Sequence, residues 1–356
     1  MYIVFVFIVI LLYFYVESKH INEAKKQKLF CFCAFLVILF VHLFKDDSFL
    51  PDLSTDSGGY IVEFENISKI GSTRDFFVSY FMIGGYYHEI GWSLLNYIVS
   101  RFTDNFAILQ GIVSLGICAG YSYGIYKSSR SPLFSFLFLM LYQSALPQSF
   151  YVLRQHLAAA LFFILIPAII SNNYKKLIPG YAIAVSLHYS AAVLLPFFVF
   201  FRLGNKLFSF KRIVFSILIL VGVFALFENM TYERYADNIE REQSNALGLI
   251  LTGGVFGMLI ISRDVKRKVQ MLLDKSELFI QTYMFYSVII CFAVLGTATG
   301  RLTNYFTIFL SISIPYVVRN FSKTIRITTY SVFIAFCIIM ALLSTRSFLQ
   351  YQLIFL

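Results

Sequence analysis

The apolar residues of this chain run in solid blocks, each near the ~20 residues that a helix needs to cross a bilayer, with short basic stretches between them. That blocking rules out a β-barrel, whose strands alternate apolar and polar positions. Charged residues make up 13% of the 356, about half the share found in a soluble domain, while 59% are hydrophobic. A soluble enzyme, a secreted disulfide scaffold and a disordered chain are therefore excluded. The expected fold class is an all-α polytopic membrane protein, a single integral membrane domain over residues 1–356.

The loops set the topology. No basic residue precedes the first block, Met1–Val16, whereas Lys19, Lys25, Lys26 and Lys28 follow it. The positive-inside rule then puts the N-terminus outside, and without a basic n-region the block reads as a retained helix. Further spans are expected at Leu29–Phe44, Asp104–Tyr126, Pro132–Leu146, Gln155–Ile170 and Ile213–Phe227, then at Leu247–Ile261, Leu278–Leu295, Leu302–Val318 and Ile327–Leu343. Glu89–Ser100 reads as a short interfacial helix. Leu177–Phe201 has basic residues at both ends and reads as a re-entrant pair of short helices broken around His188. This gives about 11–12 crossings with both termini outside, and extracytoplasmic segments at 45–103 and 228–246. On that path 20 of the 29 Lys and Arg face the cytoplasm and 14 of the 19 Asp and Glu face outward, the asymmetry a correct orientation requires.

The net charge of +10 does not indicate nucleic acid, because the basic residues lie in short clusters that no single face collects. All five cysteines lie inside apolar blocks and read as packing residues. Function in such a chain is sought where polar groups gather at membrane depth or on one side. Residues 45–88 carry seven acidic and three basic side chains, with Gly58-Gly59 and Gly84-Gly85 suited to tight turns. Residues 228–246 add acidic groups around Tyr232 and Tyr235, a composition that suits either a polyhydroxy ligand or a solvated loop.

Three isolated basic residues stand out against that acidic background. Arg154 and Arg301 each open a span, where a guanidinium fork beside free helix N–H groups can hold a phosphate or diphosphate. Taken singly, each is equally compatible with snorkelling to the interface. His188 at the helix break is the candidate general base, or else a cap for backbone carbonyls. His156 beside Arg154 points to another helix face and is undecided, while His20 and His42 read as interface residues. Gly253 and Gly257 form a small-residue step suited to helix packing. Zinc spacing, a P-loop, Gly-x-Ser-x-Gly, His-Glu-x-x-His and Asp-x-Asp are all missing from the sequence. No metal or cofactor is expected, and the substrate should lie in or at the membrane.

Five stretches, in order, resemble the EpsG-like and Wzy-like polysaccharide polymerases. They are Asp56-Ser57-Gly58-Gly59-Tyr60; Glu89-Ile90-Gly91-Trp92-Ser93-Leu94-Leu95-Asn96; Arg154-Gln155 with Ala158; His188, Ser190, Ala191 and Pro196; and Arg301-Leu302-Thr303-Asn304-Tyr305-Phe306. The chain departs from the family pattern at Ile90, where Pro is common, and at Ser57, where Tyr is common. The Arg usual before the Asp motif is absent, with Lys45 the nearest basic residue.

The resemblance implies a membrane glycosyltransferase of the GT-C kind that works without a metal. It would join lipid-pyrophosphate-linked repeat units, on an undecaprenyl carrier, into a surface polysaccharide at the outer face of the bacterial plasma membrane. Arg154 and Arg301 would stabilise the diphosphate leaving group, and His188 would act as base, with Asp56 or Glu89 as the next candidates. Tyr60, Trp92, Asn96, Tyr151, Gln155, His156, Ser190, Asn304 and Tyr305 would shape the sugar and lipid-head pocket, although Trp92 reads equally as a structural residue. The partners implied are the lipid-linked glycan donor and acceptor, membrane lipid, and a flippase and chain-length regulator of the same pathway. Two alternatives remain at this stage: a lipid-linked glycan transporter or flippase, and a glycan ligase of related fold.

Overall fold

The computed structural model describes residues 2–45, 56–83, 89–142, 144–202, 211, 214–219, 222, 249–258, 260, 275–294, 300–319 and 321–343. Every regular element among them is helical, and the protein is an all-α, multi-pass membrane protein. Five described helices are long and apolar enough to cross a membrane: Glu23–Leu43, Phe106–Ser128, Leu153–Ile170, Lys275–Ala293 and Lys323–Met340. Shorter apolar helices include Tyr2–Glu17, Pro132–Leu141 and Leu249–Met258. Most of the expected span at 213–227, the tyrosines Tyr232 and Tyr235 and the Gly84-Gly85 pair lie outside the described residues.

The chain packs as two compact units. One comprises residues 1–127, 140–191 and 337–356; the other comprises 128–139 and 192–336. In the first unit, α1 (Tyr2–Glu17) and α2 (Glu23–Leu43) form a hairpin whose turn ends at Asn22, which caps α2 through the Lys25 N–H.

Residues 45–88 hold more structure than their acidic composition suggests. They contain α3 (Asp56–Ser68) and α4 (Thr73–Val78), which runs into a π-helical turn at Ser79–Ile83. Gly58 and Gly59 form no turn but lie within α3. The helix forms because Tyr60, Glu63, Phe64 and Ile67 recur at helical spacing and bury one face against α5 (Ile90–Ser100). Each large side chain buried there contributes about 1.5–3 kcal/mol. Arg101 closes the arrangement by donating to the carbonyls of Ile70 at 2.7 Å and Ser68 at 2.8 Å, a cation at the C-terminal end of α3.

Further along, α6 (Phe106–Ser128) lies tight on α8 (Leu153–Ile170) because Gly116, Gly120 and Gly124 line one face. A β-carbon at Gly120 would stand 2.7 Å from both the Ala160 carbonyl oxygen and its Cβ. No described atom lies within 4 Å of the equivalent position at Gly253 or Gly257. His42 is not an interface residue: it is buried, with its ring nitrogens 2.7 Å from Ser114 Oγ and 3.0 Å from Ser149 Oγ. Together with Lys45, which donates to the Phe150 carbonyl, it ties α2 to the segment that leads into α8.

α8 and α9 (Tyr174–Leu187) form a helical hairpin. Its three-residue turn places Asn172 at φ 56°, a left-handed conformation that asparagine tolerates. Asn173 then caps α9 through the Lys176 N–H. As expected, the chain breaks at His188, which is extended (φ −156°, ψ 114°) before a 3₁₀ turn over Tyr189–Leu194.

The second unit is built around Lys275–Ala293. Its Tyr283 hydroxyl donates to the Tyr305 carbonyl at 3.0 Å, and its Tyr286 hydroxyl donates to the Val193 carbonyl at 2.5 Å.

Candidate active site

At 1.5 Å per residue, the 18 residues of α8 rise about 27 Å and the 14 of α9 return about 21 Å. Arg154, in the first turn of α8, and His188, just past the end of α9, therefore stand at the same end of the hairpin.

Glu89 joins them from the start of α5. It occupies the N-cap position but makes no side-chain bond to its own helix. Its carboxylate reaches across instead. Oε2 pairs with Nη1 of Arg154, while Oε1 accepts from His188 Nδ1 at 2.7 Å and from the Tyr189 backbone N–H at 3.1 Å. Gly91 permits this approach. A β-carbon there would lie 2.3 Å from Ser186 Oγ and 2.7 and 2.8 Å from the Ser186 carbonyl carbon and oxygen. A larger residue would push α5 off α9 and carry Glu89 away from His188.

The three side chains are mostly sheltered, with exposures of 13% for Arg154, 8% for Glu89 and 22% for His188. Burial alone would raise the Glu89 carboxyl, but the hydrogen bond from His188 and the charge of Arg154 outweigh it and hold the group at about 2. Glu89 therefore stays a carboxylate. With Nδ1 given to Glu89, the neutral form of His188 presents Nε2 as its lone-pair acceptor. Arg154 sits where the helix dipole disfavours a cation, and Val152 supplies no side-chain cap. This end of α8 suits an anion, and Glu89 compensates the guanidinium.

A second layer supports the first. The Arg154 guanidinium lies 5.4 Å over the Tyr60 ring, and its Nε donates to the Tyr60 hydroxyl at 3.4 Å. Tyr60 packs on Trp92, with ring centres 5.1 Å apart. The Trp92 indole N–H and the Ser93 hydroxyl both donate to the buried Glu63 carboxylate at 2.9 Å, and Asn96 donates to the Trp92 carbonyl at 2.8 Å.

This layer corrects part of the sequence expectation. Trp92 is 0% exposed and its N–H is already committed, so it offers no face to a sugar. Asn96 and Tyr60 are buried likewise and act as supports rather than as pocket walls. His156 is buried between α6 and α8, with Nδ1 2.9 Å from the Tyr121 hydroxyl, so it turns into the bundle and away from a ligand. Gln155 is also buried, whereas Tyr151 and Ser190 are partly open. Asn304 and Tyr305 are buried within the second unit. Asp56 begins α3 and Arg301 lies in the 3₁₀ turn Gly300–Thr303; the side chains of both lie outside the described residues.

Glu63, Tyr80 and Tyr189 escaped the sequence reading. Glu63 carried a usable signal, being the polar position on an otherwise apolar helical face with Tyr60, Phe64 and Ile67. Tyr189 carried little, because it opens what reads as an apolar run.

No curated protein and no solved structure matches the chain. The profile of the EpsG family matches residues 49–354, a range that includes Glu89, Arg154 and His188, and the chain belongs to that family.

Proposed function

We propose that the protein is a membrane glycosyltransferase of the GT-C kind that extends a surface polysaccharide from repeat units carried on undecaprenyl diphosphate. The reaction takes place at the outer face of the bacterial plasma membrane. Membership of the EpsG family supports a polysaccharide-polymerase role. The observation that carries the chemistry is the convergence of a guanidinium at a helix N-terminus and an imidazole held through Nδ1 on one carboxylate.

In this reading the acceptor sugar hydroxyl attacks the anomeric carbon of the donor. The bond from that carbon to the diphosphate oxygen breaks, and the leaving group departs with the electron pair onto an oxygen stabilised by Arg154. The hydroxyl proton passes to His188 Nε2, and Glu89 stabilises the imidazolium that forms. Arg301 enters the proposal on its sequence motif alone.

The test is reconstitution of the full chain in lipid vesicles with a purified lipid-diphosphate repeat unit, scored for a ladder of oligomers. Arg154→Ala is expected to abolish the ladder while the protein stays inserted and folded. His188→Gln should slow transfer without weakening donor binding. A ladder unchanged by Arg154→Ala sinks the anion-site reading. Vesicles that translocate the repeat unit without joining it would favour a flippase.

A further inference from the structure

Tyr189 stands directly after the imidazole, and a single carboxylate oxygen fixes both. Glu89 Oε1 takes the Nδ1–H of His188 at 2.7 Å and the backbone N–H of Tyr189 at 3.1 Å. The Tyr189 side chain is nevertheless 58% exposed, whereas the nearby rings of Tyr60 and Trp92 are buried. The side chain neighbours Tyr80. Tyr80 lies in the π-helical turn, a feature common at functional sites, and its ring is stacked on Phe76 at 6.2 Å and set edge-on to Phe81 at 5.2 Å. The open ring is thus restrained at its backbone and bordered by Tyr80.

We propose that Tyr189 is the stacking platform of an acceptor-sugar subsite, on which a pyranose ring lies with its hydroxyl directed to His188. The inference rests on the glycosyltransfer reading above and deepens it. An aromatic face carries negative charge, which suits the C–H face of a sugar. The Glu89 carboxylate holds its backbone, which favours a neutral polyhydroxy partner over a second anion. The platform is locked to the group that receives the acceptor's proton, whereas the diphosphate end of the donor belongs at Arg154. The sugar on Tyr189 is therefore the one that supplies the hydroxyl.

The experiment uses the full chain in nanodiscs with the lipid-diphosphate donor fixed. The acceptor is an alkyl glycoside of the repeat unit, which has no diphosphate and can only accept. Tyr189→Ala is expected to raise the acceptor KM by about tenfold, with the loss falling on KM rather than kcat. Tyr189→Trp and Tyr189→Phe should keep a KM near that of the native protein, which also shows that the segment still folds. Tyr189→Leu should behave like Tyr189→Ala. If leucine restores the native KM, the ring is only apolar bulk at the membrane interface and the platform is overturned. A loss confined to kcat or to donor binding overturns it as well. If the native protein forms no extended product, the glycosyltransfer reading itself fails. If the native protein extends chains but Tyr189→Ala keeps the native acceptor KM, only the platform fails.

Discussion

Glu89 and His188 lie 99 residues apart in sequence, yet Oε1 of one and Nδ1 of the other meet at 2.7 Å. The same carboxylate balances Arg154 through its second oxygen, so one side chain sets both the proton acceptor and the cation. Replacing it by glutamine keeps the shape but removes the charge and turns an amide N–H₂ toward the guanidinium or the imidazole. We expect Glu89→Gln to lower the turnover of chain extension by about ten- to a hundredfold, in line with the loss of one acid–base or electrostatic element. Glu89→Ala should also destabilise the protein by about 3–5 kcal/mol, because it strands Arg154 in a sheltered position. Turnover rates and thermal melts of the purified variants check both. Native turnover in Glu89→Gln would show that the carboxylate is incidental to His188.

Gly91 tests how finely that meeting depends on the backbone. A methyl group there would meet the Ser186 main chain, which cannot swing aside as a side-chain tip can. Gly91→Ala should therefore lower both melting temperature and activity, in the overpacking range of about 1–3 kcal/mol. Adding Ser186→Gly removes only the side chain and leaves the carbonyl 2.8 Å away, so it should not rescue the variant. Full rescue in the double mutant would mean that the side chain alone sets the approach of α5 to α9.

Trp92 separates a support from a ligand contact. With its ring buried and its N–H given to Glu63, Trp92→Phe leaves one carboxylate oxygen short of a donor. The expected cost is about 1–3 kcal/mol of stability, with the KM for the lipid-linked substrate little changed. A large rise in KM at native stability would restore the sugar-stacking role.

The legible and illegible parts of this site divide by range. Arg154 and His188 stood out in the sequence because each interrupts an apolar block, and a polar residue at such a position needs a reason. The break at His188 and the hairpin before it followed from the same pattern. The pairing with Glu89 could not be read that way, since it depends on Gly91 letting two helices touch 95 residues apart. Nor could the burial of Trp92, because nothing local to Glu89–Asn96 says which face of α5 meets α3. α3 itself was masked by two glycines and several carboxylates, although Tyr60, Phe64 and Ile67 carried its period. The roles expected of Asp56 and Arg301 rest on motif alone.

The acid response of the fold follows from the same carboxylate. Glu89 is held at about 2 against an ordinary 4.5, because the His188 hydrogen bond and the Arg154 charge outweigh the burial that opposes them. A carboxyl depressed by folding stabilises the folded state in its ionised form. That contribution is fully present above about 4.5 and is lost as pH falls through about 2, where the folded protein also takes up the proton. The shift corresponds to about 2–3 kcal/mol after allowance for partial solvation. In nanodiscs, the melting temperature of the native protein should therefore fall more steeply between pH 4.5 and 2 than that of Glu89→Gln, which has no proton to take up at this position. The two curves should converge at the acid end. If they run parallel across that window, Glu89 is not held down by Arg154 and His188 in the folded protein, and the ionised cluster on which the proposed chemistry depends does not form.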